Sequence, residues 1–377
     1  MKNIELIDRG FNSDFSSKRI EEFCSKFGSE KDLQNFIDRI HEEDHTYDMK
    51  RGEFYPEILR CIASLKRASA NVYDIEPEQC HPNFGSNGNI DTILVAMKLR
   101  EIENKINTDK WGGALDVEPT YFRNYNSCNS KKIKLRNISL NKTDWTFDID
   151  TVIDAVKQYH PTIIILVTPN NPTGIAIPDK SIIKVIEEAP DDTVIMMDRT
   201  LVNIESEINT IELLKKYKEK QLVILHSFSK YAGMSHLRIG ISLYSNKKLA
   251  EEVRPLLPLG LNVEGCIKAT KLILEKGQLT PSIEVVSNIK ENKKILTDFC
   301  NWSQIFSCTN FVSNYCLLFL PQNLRTDDVV KDLEKKYIYT MGGEEFPNQT
   351  SGMIRLHSGG HPEYMRKTVE ALTELYL

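Results

Sequence analysis

Four short apolar runs constrain this chain more than any other feature. They are Ile163 to Val167 (IIILV), Val194 to Met197 (VIMM), Leu222 to Leu225 (LVIL) and Ile239 to Tyr244 (IGISLY). Each is too short for a helix, and continuous runs of this kind fill strands that are buried on both faces. Between them lie segments with helical spacing, such as Ile182, Ile183, Val185 and Ile186. Strands at 163–167, 194–198, 222–226 and 239–244 with helices between them predict an α/β fold on a parallel sheet with crossovers. The 377 residues are long for one core and suit a large domain with a smaller one beside it.

Open α/β sheets hold ligands outside the carboxyl ends of their strands, so the residues just past each run matter most. After Val167 comes Pro169-Asn170-Asn171-Pro172-Thr173-Gly174, a turn bracketed by prolines that fixes an amide side chain. Asp198 ends the second run, and a carboxylate there is costly unless something needs it. The third run passes into His226-Ser227-Phe228-Ser229-Lys230, with Arg238 eight residues on. Two hydroxyls, a lysine and an arginine at a strand end form a candidate anion cradle with an amine beside it. Upstream, Asn83-Phe84-Gly85-Ser86-Asn87-Gly88-Asn89 opens a helix read from Ile90, Ile93, Leu94 and Met97, where free backbone N–H groups suit a phosphate.

The spelling S-F-S-K-x(7)-R-x-G, together with N-N-P-T-G, resembles the fold-type-I, pyridoxal-phosphate-dependent aminotransferases of class I and II. The similarity runs from about residue 50 to the C-terminus with all motifs in family order, and the branch it most resembles is that of histidinol-phosphate aminotransferase and its relatives. The resemblance implies pyridoxal 5'-phosphate as cofactor, joined to Lys230 as a Schiff base. It implies a phosphate held by Ser86, Asn87, Ser227, Ser229 and Arg238, and a ring stacked on Tyr121. Asn171 would hydrogen-bond the cofactor's phenolic oxygen, and Asp198 would keep the ring nitrogen protonated. Arg355, within Met353-Ile354-Arg355-Leu356-His357, would grip the substrate α-carboxylate beside Asn171. Gly342 to Phe346 resembles the family's G-x-x-F turn. Tyr55, in Phe54-Tyr55-Pro56, would reach across a homodimer interface to the partner's phosphate, giving shared active sites. His357 carries no family role and reads as structural.

The implied architecture is a large domain over 50–250, its mainly parallel sheet sandwiched by helices. A smaller α+β domain comprises 251–377 with the N-terminal segment 1–49. A helix is expected around Ile20 to Ile40, and another with Ile58, Leu59, Ile62 and Leu65 on one side. Strand-like stretches are expected at Asn310–Val312 and Cys316–Leu320.

One departure bears on function. Relatives continue after the aspartate with Glu-Ala-Tyr, whose tyrosine also donates to the phenolic oxygen; this chain reads Asp198-Arg199-Thr200-Leu201. Leu201 cannot donate that bond. Transamination of an amino acid therefore leads, with elimination, cyclisation, decarboxylation or oxidation on the same scaffold as the alternative, as in threonine-phosphate decarboxylase or capreomycidine-synthase-like enzymes.

Composition removes other classes. With 48 Lys+Arg against 53 Asp+Glu the net charge is −5, which gives no electrostatic case for nucleic acid or an anionic membrane. An aminotransferase-like sensor domain of a transcription regulator would carry a DNA-binding module ahead of it, for which the first 50 residues are too short and too acidic. MKNIELIDRG has no apolar core of a signal peptide, and no apolar run reaches membrane length. Eight scattered cysteines form no C-x-x-C pair and no metal spacing, so the reading is a reduced, cytoplasmic protein without a metal site, and the resemblance implies a small-molecule amino acid as substrate.

Overall fold

The computed structural model describes residues 54–141, 144–206, 208–346 and 352–377, with side chains described from Ile58 onward. The expected helix around Ile20 to Ile40 lies outside the described residues, as does the side chain of Tyr55, which falls in the first turn of the helix Phe54–Tyr73. That helix has Leu65 fully buried, but Leu59 is exposed rather than on the packed side.

A seven-stranded sheet forms the larger layer. Its strands are β1 (Cys80–Asn83), β2 (Ala114–Glu118), β3 (Leu135–Ser139), β4 (Ile163–Val167), β5 (Val194–Asp198), β6 (Gln221–Ser227) and β7 (Gly240–Tyr244). They lie in the order β1-β7-β6-β5-β4-β2-β3. From β3 through β6 all neighbours are parallel. In β4 and β5 every residue is buried on both faces, which is why these two strands read as unbroken apolar runs. Burying each Ile or Leu stabilises by roughly 1.5–3 kcal/mol.

The sequence expectation needs one correction here. β7 runs antiparallel to β6, not parallel. A parallel return needs a full crossover, usually a helix packed across the sheet. The link from Ser227 to Gly240 holds only a single helical turn, Phe228–Tyr231, and a 3₁₀ turn, Ser235–Leu237. The chain therefore reverses, and β1 then adds antiparallel to β7 at the edge. Helices Gly85–Glu103, Ile149–Tyr159 and Asp179–Glu188 bury their apolar stripes, completing an α/β sandwich.

A second, wholly antiparallel sheet has β8 (Ser307–Cys308), β9 (Tyr315–Phe319), β10 (Met341–Gly342) and β11 (Met353–His357), in the order β10-β11-β9-β8. Helices Ile283–Ser303 and Pro362–Tyr376 pack together beside it. Asn310–Val312 is not a strand: it is a connection whose Phe311 is buried, so apolarity alone misled.

The two sheets meet at the Asn-Asn-Pro-Thr-Gly turn. Thr309 Oγ1 donates to the Thr173 carbonyl at 2.7 Å, and the Val312 N–H to the Gly174 carbonyl at 2.9 Å. Gly174 has φ +71°, and a Cβ there would lie 1.8 Å from the carbonyl oxygen of Tyr315. Only glycine lets β9 begin so close to the turn.

Candidate active site

The carboxyl ends of β4, β5 and β6 carry Asn171, Asp198 and Lys230 into one cleft, and the second sheet closes it with Tyr315 and Arg355. Asn170 builds the turn. Its Oδ1 accepts from the Thr173 N–H and hydroxyl, and its Nδ2 donates to the Pro119 carbonyl. Its neighbour Asn171 is thereby left to face the cleft, where its Oδ1 accepts from Arg355 Nη1 at 3.2 Å.

Arg355 lies in β11 and is 5% exposed. Its guanidinium stacks 4.1 Å from the ring centre of Tyr315 and 5.5 Å from that of Phe346. Among the described residues Nη2 donates only to the thioether of Met341, a weak acceptor, and Nε is buried with no partner. A buried planar cation so poorly satisfied can take a carboxylate through two parallel hydrogen bonds.

Asp198 is 3% exposed at the end of β5, and its Oδ1 accepts from the Thr200 N–H at 2.9 Å. Burial raises its pKa, against the lowering effect of the Thr200 contacts. Such a carboxyl regains its charge when a cation is set beside it.

Lys230 is half-buried in the single helical turn after β6. Its Nζ donates to Tyr315 Oη at 2.8 Å. Sequence reasoning did not single out Tyr315. No motif marks it, and its place follows from the pairing of β9 with β11, where it sits opposite His357. His357 is not remote either: its ring meets that of Tyr315 edge-on at 5.4 Å. Burial, with Lys230 and Arg355 nearby, pushes its pKa down to about 3, so it is neutral.

The cradle residues converge at the start of the helix Gly85–Glu103. Arg238 Nη1 reaches Ser229 Oγ at 3.5 Å and the Ser235 carbonyl at 3.0 Å, while Ser227 Oγ accepts from the Ser229 N–H. A Cβ on Gly85 would lie 2.9 Å from Arg238 Nη2, and one on Gly240 would lie 2.9 Å from the Ser86 nitrogen. Side-chain-free backbone, a guanidinium and hydroxyls around one space suit a phosphate. Tyr121 donates to Asn87 Oδ1 at 3.1 Å, which ties the expected stacking ring to the same helix end. Of the expected site residues, only the side chain of Tyr55 is undescribed.

Leu201 is buried, and its carbonyl accepts from Tyr231 Oη. The next residue, Val202, donates its N–H to Asn314 Oδ1 at 2.8 Å. Position 201 and Tyr315 are therefore each one residue from a shared hydrogen bond. Among the described residues no group of His, Cys, Asp and Glu could hold a metal ion, and no helix is long and apolar enough to cross a membrane.

Residues 30–372 match the family model of aminotransferase class I and II. Histidinol-phosphate aminotransferase of Methanosphaera stadtmanae is 32% identical over 213 residues, which span 52% of this chain and 55% of that enzyme's length. Two solved structures share the fold. Histidinol-phosphate aminotransferase of Clostridium acetobutylicum superposes with a TM-score of 0.69 at 18% identity, covering 91% of this chain and 95% of the other. L-threonine-O-3-phosphate decarboxylase of Porphyromonas gingivalis gives 0.67 at 19%, covering 88% and 95%.

Proposed function

The chain belongs to the aminotransferase class I and II family, with pyridoxal 5'-phosphate as cofactor, and on that premise we propose that it moves the α-amino group of an amino acid to a 2-oxo acid. The observation that carries this reading is the convergence of Lys230, Asp198, Asn171 and an under-satisfied Arg355 on one cleft beside a phosphate-shaped cradle. When bound, the cofactor supplies an aldehyde for amines and a ring that takes up electrons from the substrate Cα.

The protein's own residues supply the rest. Lys230 would be the amine that holds the cofactor's aldehyde end and, at Nζ, the base that takes and returns the substrate Cα proton. Asp198 would keep a proton on the ring nitrogen. Asn171 would donate its amide N–H to the phenolic oxygen while its Oδ1 stays with Arg355. Arg355 exchanges the Met341 thioether for the substrate α-carboxylate, which fixes Cα against Lys230. Ser86, Asn87, Ser227, Ser229 and Arg238 hold the phosphate, and Tyr121 covers the ring.

The proposed architecture is a large domain over 50–250 and a small one over 251–377 with 1–49; the separate sheets at 80–244 and 307–357 support the division near 250, and 1–49 lies outside the described residues. The substrate is a small molecule, an amino acid whose side chain is left open, and the compartment the cytoplasm. Incubation with an amino-acid panel should yield a 2-oxo acid matched by amination of an added oxo acid, without ammonia. Stoichiometric ammonia or carbon dioxide would overturn transamination in favour of a lyase, cyclase or decarboxylase outcome.

The site is shared in a homodimer through Tyr55, the symmetric assembly most soluble oligomers adopt. Mixing inactive Tyr55→Ala and Lys230→Ala proteins under conditions that exchange subunits should restore partial activity. A fully active monomer in sedimentation would exclude sharing.

A further inference from the structure

Position 201 lacks the hydroxyl that would sit beside the reactive lysine, yet a hydroxyl is there. Tyr315 comes from the other sheet and brings its Oη to 2.8 Å from Lys230 Nζ. Its ring is 5% exposed and held on two sides, by the Arg355 guanidinium at 4.1 Å and the His357 ring at 5.4 Å. Its backbone is pressed onto Gly174 of the Asn-Asn-Pro-Thr-Gly turn. The neighbouring Asn314 is tied to Val202, so the loop bearing Leu201 and the start of β9 are locked together. A side chain pinned in this way presents its hydroxyl at one place.

We propose that Tyr315 takes over the phenol function absent at position 201, donating to the cofactor's phenolic oxygen as the partner of Asn171 and holding Lys230 in line. The inference rests on the aminotransferase reading above. In pyridoxal phosphate the phenolic oxygen is on the ring carbon next to the one that bears the aldehyde. A hydroxyl within reach of the lysine nitrogen is therefore within reach of that oxygen. The charged and titratable groups around Tyr315 are Lys230, Arg355 and His357, with Tyr121 and Asp198 across the cleft. His357 is neutral, so among the described groups the cations beside Tyr315 are Lys230 at its hydroxyl and Arg355 over its ring. A phenol in such a setting favours an anionic oxygen beside it.

The test is a spectrophotometric pH titration of the cofactor-loaded protein without substrate. Tyr315→Phe keeps the ring and its stacking on Arg355 and removes only the donor. The phenolic oxygen then holds the shared proton more strongly, so the midpoint of the visible-band transition should rise by about one to two pH units. Pyridoxal phosphate should dissociate about tenfold more readily. Leu201→Tyr in the otherwise unchanged chain should move the midpoint by less than about half a unit, because the donor site is already filled. A wild-type protein with no lysine-dependent band would sink the aminotransferase reading and this inference with it. A normal wild-type titration that Tyr315→Phe leaves in place would overturn this inference alone. A fall of a full unit in Leu201→Tyr would do the same, since it would mean the place at 201 is vacant.

Discussion

Lys230→Ala should fold, bind pyridoxal phosphate without a covalent link, and turn over about 10⁴-fold more slowly, the upper end of what one positioned acid–base group contributes. The effect is large because one residue has two tasks, tether and base, and no neighbour can assume either. Tyr315 reaches the same point but offers no amine, and Arg355 is, on the reading proposed above, the partner of the substrate carboxylate. Stability should change little, because the amine is half-buried and makes one described hydrogen bond, worth about 1 kcal/mol net. Borohydride reduction followed by peptide mapping checks the assignment: the wild-type adduct should fall on Lys230 and be missing from the variant. An adduct on another lysine, or a variant within tenfold of wild type in single turnover, would refute it.

The second large effect is expected at Asp198. Asp198→Ala should lose about 10²–10³-fold in turnover, the range seen when a fixed electrostatic partner of developing charge is removed. Stability should respond in the opposite sense. Burial raises the pKa of Asp198 in the folded state above its unfolded value. The folded protein thus holds that proton more tightly, and stability declines as pH rises from the ordinary carboxylate range through the raised value. At neutral pH the cofactor-free variant should accordingly melt no lower than wild type, and its melting temperature should depend less on pH across that interval. A cofactor-free variant that melts well below wild type at pH 7 would make Asp198 a structural acid instead.

Both variants change residues that the sequence alone singles out as candidates, and the reason is physical. The apolar runs in β4, β5 and β6 are buried, so the polar residues that follow them mark the sheet's ligand edge. Edge and outer strands gave no such signal. β1 reads Cys-His-Pro-Asn and is a strand only because β7 offers it an open edge. β2 holds Asp116 and Glu118 among its five buried residues, against any simple apolar rule. The direction of β7 was misread because run composition says nothing about polarity; the length of the link did, and it was too short to cross the sheet.

Tyr315 was illegible for a different reason. A motif records residues that are close in sequence, whereas Tyr315 owes its place to the register of β9 on β11 and to the missing side chain at Gly174. On the proposal made above for Tyr315, reading Leu201 as a lost function treats a side-chain position as if it were the atom it delivers. The hydroxyl group can be supplied from another backbone.

The hydrogen bonds that join the two sheets also set the order in which the enzyme can become competent during its own synthesis. Lys230 finds Tyr315 85 residues downstream, and Asn171 finds Arg355 184 residues downstream. All strands of the larger sheet have been synthesised by Tyr244 and emerge ahead of the second sheet, and domains that emerge first can fold first. A nascent chain halted once those strands have emerged, but before Tyr315 is added, would then present the proposed cofactor cradle without the Tyr315 or Arg355 side chain. Such a chain could capture pyridoxal phosphate before it could use an amino acid, so cofactor loading and substrate competence would be separate events in its translation.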